Sequence, residues 1–495
     1  MHAIGARQNF CFGSRYCWAE RIKQHNLIFQ TCIFDTLICR ENNRTLQFSN
    51  NLYCRGILMK HPGCLSTLPA TLPAILPVIV SGIFSLSVMA AENLPAANTN
   101  SPAAYPYSDT LFGDWNGKRN ALLASGYDLQ ANYKLDLLNN TSAESGRVYA
   151  LDNLDLKLNV DFEKITGSKG TTAFLHVISN RGDKPGAHSN RLPHGVDNIE
   201  TPANGNTTKL FQAWLQQAFL DDRVSVLAGL YDLNSEFYFT ESASMFVHPT
   251  FGMSAELAGT GKNGPSVFPT SSFGIRIKTQ SASGHYVQAI TLDGVPGDPN
   301  NPQGTYIKFD EGDGALNVIE AGIPLSSPEN AHNNKLAFGV WQYTTRFDDT
   351  LELDAGGNPV QRISRGAYAM VEKVLQYKAD SSDALLSSFF RIGQTEGDTT
   401  QFDLALSAGI VFTGLFPGRE QDELGLAYAQ ERNSEKYRTA SGNAVHAEKS
   451  FELGYRYRAM PGFIVQPFVQ YLLNHSEDIS KDKTWWLGVR MEAML

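Results

Sequence analysis

After residue 64 the sequence has no cysteine. Its six cysteines, Cys11, Cys17, Cys32, Cys39, Cys54 and Cys64, all fall before that point and show none of the CxxC spacing that holds zinc. No metal centre, disulfide framework or cofactor is therefore expected in the remainder, and such avoidance suits a chain that crosses an oxidising periplasm unfolded. Beyond residue 90 no apolar run approaches the roughly 20 residues of a spanning helix, which excludes a helical membrane protein but not a barrel with a polar lumen. Positive charge is also short: 41 Lys+Arg stand against 50 Asp+Glu, a net charge of -9, and this balance argues against nucleic acid as a partner. There is no internal repeat or appended wall-binding domain of the kind an adhesin carries. No GxSxG is present either, and His176 beside Ser179 is a pair that chance supplies, so an enzyme is not expected.

What is present begins with a leader. Met59-Lys60-His61 precedes an apolar stretch, Leu65 to Ala90, that ends Val88-Met89-Ala90 before Ala91-Glu92. A basic start, apolar centre and small-residue exit make residues 59–90 a cleavable signal peptide cut between Ala90 and Ala91, and Pro69, Pro73 and Pro77 argue against a stable helix there. Residues 1–58 lack periodicity and are expected to be untranslated or an unstructured leader, with translation starting at Met59. Taking away the 8 Lys+Arg and 3 Asp+Glu of residues 1–90 leaves 33 and 47, a mature balance of -14. Residues 91–108, rich in Ala, Pro and Asn, read as a flexible periplasmic amino terminus, and 109–126 as a short helical segment ending at Gly126.

From Tyr127 to Leu495 apolar and polar residues alternate with period two, the period of β-strands. The end of the chain shows it clearly: Trp485, Leu487, Val489, Met491, Ala493 and Leu495 fall on one face, with Trp486, Gly488, Arg490 and Glu492 on the other. Sixteen strands are predicted, starting near 127, 148, 171, 208, 223, 270, 285, 313, 334, 366, 383, 401, 421, 447, 463 and 483. A soluble sandwich and a membrane barrel share this alternation, so the connections must separate them. Odd connections, among them 182–207, 232–269 and 347–365, average roughly 17 residues, and even ones about 5. Barrels of the Gram-negative outer membrane sort their loops this way, with long ones outside and short turns in the periplasm. The fold class is therefore all-β: a 16-stranded antiparallel transmembrane β-barrel, residues 127–495, preceded by a short helix.

Several stretches resemble the carbohydrate-selective porin family, the OprB-like outer-membrane proteins. Leu111 to Arg119 (LFGDWNGKR) with Leu122 to Gly126 (LLASG) resembles its amino-terminal LxGDWxGxRxxLxxxG signature, with Asn116 where the family favours glycine. Phe211 to Leu220 (FQAWLQQAFL), Gly229 to Asp232, Phe251 to Met253, Phe412 to Arg419 (FTGLFPGR) and Gln466 to Tyr471 (QPFVQY) continue the likeness in order. Leu495 departs from the phenylalanine with which such strands usually end. The resemblance implies a 16-stranded pore for diffusion of glucose and similar mono- or small oligosaccharides, in contact with outer-membrane lipid. A homotrimer and a monomer both remain open.

A sugar-selective pore needs hydrogen-bonding groups for hydroxyls and a flat apolar face for the ring. The polar phase of each strand nominates Lys157, Asn159, Gln212, Trp214, Gln216, Arg276, Arg346, Arg391, Arg456, Gln466, Gln470, Arg490 and Glu492 as lumen-facing. Trp214 shares its face with Gln212 and Gln216, while Phe211, Ala213 and Leu215 take the other. Any of these residues could equally be plain lumen lining, because alternation makes every second strand residue polar. Trp341, Tyr343, Tyr455, Tyr457, Tyr471 and Trp485 read as aromatic girdles. Loop 232–269 has two arrangements open to it, folded into the lumen or standing outside. Two further functions stay in view: a general or organic-anion pore, which the arginines would also suit, and a barrel enzyme or adhesin.

Overall fold

Sixteen half-apolar strands cannot leave a sheet edge unpaired in lipid, and closing the sheet on itself removes both edges. The computed structural model describes residues 40–41, 44–45, 107–141, 146–188, 195–200, 206–326, 334–379, 383–443, 445–474 and 483–495. The signal peptide 59–90, residues 91–106 and most of the leader 1–58 lie outside the described residues. Arg40–Glu41 and Arg44–Thr45 form a small antiparallel ladder in a separate unit, Met1–Glu92. In the unit Asn93–Leu495, sixteen antiparallel strands close into one barrel.

The strands are β1 (Tyr127–Asn140), β2 (Val148–Asp161), β3 (Thr171–Gly182), β4 (Thr207–Phe219), β5 (Val224–Tyr231), β6 (Ser272–Gln280), β7 (Tyr286–Asp293) and β8 (Ala315–Pro324). They continue as β9 (Lys335–Leu353), β10 (Pro359–Tyr377), β11 (Ala384–Thr395), β12 (Phe402–Thr413), β13 (Glu423–Asn433), β14 (Ala447–Met460), β15 (Phe463–Leu473) and β16 (Lys483–Met494). Each strand pairs with its sequence neighbour, and β16 returns to β1 with Arg490 opposite Asp136. One expectation fails here. Residues 347–365, read as a loop, are mostly strand: β9 and β10 run on as a hairpin to a turn in which Asp354 Oδ1 accepts from the backbone N–H of Gly356 and Asn358, with Gly357 at φ 82°. Hydrophilic sequence hid this extension, since a hairpin standing in water has no apolar face to reveal its period.

A short helix, α1 (Lys118–Ala124), lies ahead of β1. Its Arg119 is buried and crosses the seam of the barrel, donating from Nη2 to Leu129 O on β1 and from Nη1 to Leu495 O, each at 3.1 Å, under the Tyr107 ring. Outside the barrel, Leu215, Ile275, Phe338, Val340, Leu426 and Leu453 are exposed, a continuous apolar surface that belongs in lipid rather than water. At its extracellular border Tyr428, Phe451, Tyr471 and Trp485 stand in register on β13 to β16, with Tyr471 and Trp485 4.4 Å apart. Trp341 and Tyr343 are not part of such a girdle. Both are buried and point inward, because Leu336, Phe338 and Val340 take the lipid side of β9.

Candidate functional site

The segment between β5 and β6, residues 232–271, folds into the lumen. Asp232 caps its first turn by accepting from Asn234 N at 3.1 Å, and the chain then passes through 3-10 turns at Ser242–Met245 and Pro249–Phe251 to a helical turn, Ala255–Ala258. Backbone groups carried into a barrel need partners, and inward carboxylates on the wall supply them. Glu320 accepts from Tyr238 N at 2.9 Å, Glu372 from Ser242 N at 2.6 Å and Glu241 N at 3.1 Å, and Glu452 from Val247 N at 2.7 Å and His248 N at 2.8 Å. Glu431 accepts from the Thr250 hydroxyl. Arg391 answers from the donor side, giving hydrogen bonds to Gly252 O at 2.6 Å and Thr250 O at 2.8 Å. Tyr238 stacks on Tyr368 with centroids 4.0 Å apart. Room for the loop comes from inward glycines: a Cβ on Gly393 would overlap the Glu256 carboxylate and one on Gly425 the Met245 sulfur.

The loop thus fills the side of the lumen facing β8 to β15. A cavity of about 1720 Å³ stays open, bounded by β1 to β6, by segment 195–200 and by the loop's own Glu236, Phe239 and Thr240. In its wall Phe174 and Trp214 lie 5.1 Å apart at 33°. Around them Arg276 donates to Gln216 Oε1 at 2.6 Å and to Ser225 Oγ at 2.5 Å, and His176 Nε2 lies 2.8 Å from Asp155 Oδ1. Glu236 bridges Arg276 at 3.1 Å and Lys278 at 3.2 Å. Burial works against its charge, but Lys278 and Arg276 outweigh burial and hold the carboxyl at about 2. Deeper in the loop, burial outweighs the nearby Arg391 and pushes Glu256 up to about 7.

Of the thirteen nominated residues, Lys157, Asn159, Gln212, Trp214, Gln216 and Arg276 line this cavity. The other seven do not. Arg391 and Gln466 anchor the loop, the latter through Met245 O at 2.8 Å. Gln470 and Arg490 hold a second inward segment, 195–200, through Val196 O at 2.9 Å and through Asp197 and Asn198. Arg456 and Glu492 pair with each other at 3.2 Å. Arg346 is exposed on the outer face of β9, on the side of Phe338 and Val340, because the inward phase of that strand is taken by Trp341 and Tyr343. Phe211 also departs from its expected outer face. A register shift between β3 and β4 at His176/Val177 inserts an extra residue, and Phe211 turns inward to pack 5.4 Å from His176.

His176 and Ser179 fall on opposite faces, with Ser179 bonded outside to Thr208 at 2.8 Å, so they form no nucleophile–base pair. The loop-anchoring residues Glu320, Glu372, Glu431 and Glu452 were missed by the sequence reading. Their signal was legible: carboxylates in the inward phase, with Glu431 and Glu452 on strands that also carry inward Gly425 and Gly454, and Glu320 directly opposite inward Gly339.

A closed 16-stranded barrel with an apolar belt and a lumen narrowed by its own loop defines an outer-membrane porin, a channel and not an enzyme. The chain belongs to the carbohydrate-selective porin, OprB family, whose profile matches residues 148–494. It is 26% identical over 369 residues to Porin B of Pseudomonas aeruginosa, covering 70% of this chain and 78% of that protein. To the putative porin QuiX of Acinetobacter baylyi it is 22% identical over 418 residues, covering 77% and 92%. The high-pH structure of Pseudomonas putida OprB shares the fold, with a TM-score of 0.67 at 20% identity over 79% of this chain and 100% of that one.

Proposed function

We propose that this porin passes glucose and similar small sugars through the cavity between β1 to β6 and loop 232–271, with Trp214 as the stacking face. The observation that carries this reading is the Phe174–Trp214 pair beside Gln212, Gln216 and Arg276. A sugar ring offers a C–H face to aromatics and hydroxyls to amides and guanidinium, and multiple weak contacts allow release. At this level Glu236 offsets one of the two charges of Arg276 and Lys278, which leaves a single net cation.

A second reading has its own support. Lys134 and Lys157 line the cavity and have no ion pair within 4 Å among the described residues, with Asp155 acting on both from further away, and exposed cations favour small organic anions. Swelling of liposomes carrying the protein, in glucose, a disaccharide and gluconate at equal osmolarity, separates the two. Glucose entry faster than its size predicts, lost in Trp214→Ala, supports the sugar pathway. Rates that follow size alone make this a general pore, and preference for gluconate abolished by Lys157→Ala makes it an anion pore.

A further inference from the structure

The outer surface of the barrel is not uniform at its extracellular border. On β13 to β16 the border is the in-register aromatic row ending at Trp485. On β7 to β10 the corresponding change from apolar to polar is made by Thr291, Asn317, Gln342 and Arg365, again directly opposite one another from strand to strand. Thr291 donates to Asn317 Oδ1 at 2.8 Å on this outer face. One step toward the periplasm the same strands present Ala289, Ile319, Val340 and Ala367, so the polar row sits at the edge of the lipid belt.

Two guanidinium groups crown this row. Arg365 lies opposite Gln342, and Arg346 follows on β9 opposite Ile363, across a register shift between Gln342 and Arg346. Both are exposed. Some rim cations are matched by acids, as in Arg147–Asp183 at 2.6 Å and Arg432–Asp403 at 2.7 Å, while Lys449 and Lys483, both opposite Leu473 beyond the aromatic row, are not matched among the described residues. Arg346 and Arg365 have no carboxylate within 4 Å among the described residues. The acids nearest in sequence are otherwise engaged: Asp348 accepts from Gln361 at 2.5 Å, and Glu396 from the Arg365 backbone N–H at 2.9 Å and the Thr399 hydroxyl. Arg346 itself gives one hydrogen bond, to Gln361 O.

We infer that this outer face of β7 to β10 docks the phosphorylated glucosamine head of an outer-leaflet lipopolysaccharide, with Arg346 and Arg365 as separate contacts to its phosphates and the Thr291–Asn317–Gln342 row against the sugar. Guanidinium groups match phosphate geometry, amide and hydroxyl groups suit the glucosamine, and the apolar rows below continue along the acyl chains. The long-loop side of the barrel faces the leaflet in which such lipids lie. This inference rests on membrane placement and not on the sugar pathway, and either can fail alone.

The test is native mass spectrometry of the detergent-solubilised full chain titrated with bisphosphorylated lipid A, monophosphoryl lipid A or phosphatidylglycerol. The wild type is expected to bind the bisphosphorylated form most tightly. R346A/R365A should weaken it about 10-fold or more, and R147A/R432A should leave it unchanged. R346Q/R365Q, which keeps side-chain volume, repeats the measurement, and heat-modifiable migration verifies that each variant is folded. Equal lipid A binding by folded wild type and R346A/R365A overturns the inference. So does equal loss of phosphatidylglycerol, which marks general anion attraction, or an oligomeric wild type that becomes monomeric in the variant, which marks a contact between copies.

Discussion

Glu452→Ala tests whether wall carboxylates hold the pore narrow. In the wild type both oxygens of this fully buried group are used, accepting from Val247 N at 2.7 Å and His248 N at 2.8 Å, with Gln470 Nε2 at 3.1 Å. Truncation leaves two loop N–H groups without acceptors, at about 1–3 kcal/mol each. Taking ~3 kcal/mol for the pair, the balance between the docked and undocked states of this stretch shifts about 150-fold. Glu320, Glu372, Arg391 and Gln466 still hold the flanking parts, so the expected result is local release: larger and noisier single-channel conductance in planar bilayers, with a disaccharide entering faster relative to glucose. Unchanged conductance, noise and size cut-off in a folded Glu452→Ala barrel would refute the anchoring argument.

Adding a methyl group at Gly393 places it against the Glu256 carboxylate, so Gly393→Ala is expected to release the same loop by overpacking, at about 1–3 kcal/mol, read as a lower unfolding temperature together with raised conductance. Trp214→Ala should weaken glucose block of ion current about 5-fold, equivalent to ~1 kcal/mol of stacking, while leaving conductance in salt equal or higher; an unchanged block places the sugar elsewhere. Glu256, raised to about 7 by burial, binds its proton more tightly folded than unfolded. Stability should therefore fall as pH rises from about 4.5 to about 7 and level off above, by up to ~3 kcal/mol. Glu256→Gln should flatten that slope in thermal unfolding measured across this range, and an identical slope would remove Glu256 as its source.

The barrel itself was legible in the sequence because lipid and water impose opposite demands on the two faces of each strand, and that demand is written residue by residue. Strand number, the parity of long and short connections, and the inward placing of Lys157, Asn159, Gln212, Trp214, Gln216 and Arg276 all follow from it. Where the lumen is not water, the code changes. Trp341 and Tyr343 turn inward because loop 232–271 lies against them, and Glu320, Glu372, Glu431 and Glu452 hold that loop, an arrangement between residues more than 80 positions apart that no local period records. Alternation also assumes an unbroken phase, so the β3/β4 bulge that brings Phe211 inside and the exposed hairpin of β9 and β10 escaped it. Sequence alone determined a sixteen-stranded wall with one polar face. Only the tertiary structure decided which half of that face is plugged by the chain's own loop and which half stays open to a solute, because that choice depends on backbone hydrogen bonds that form when distant segments meet.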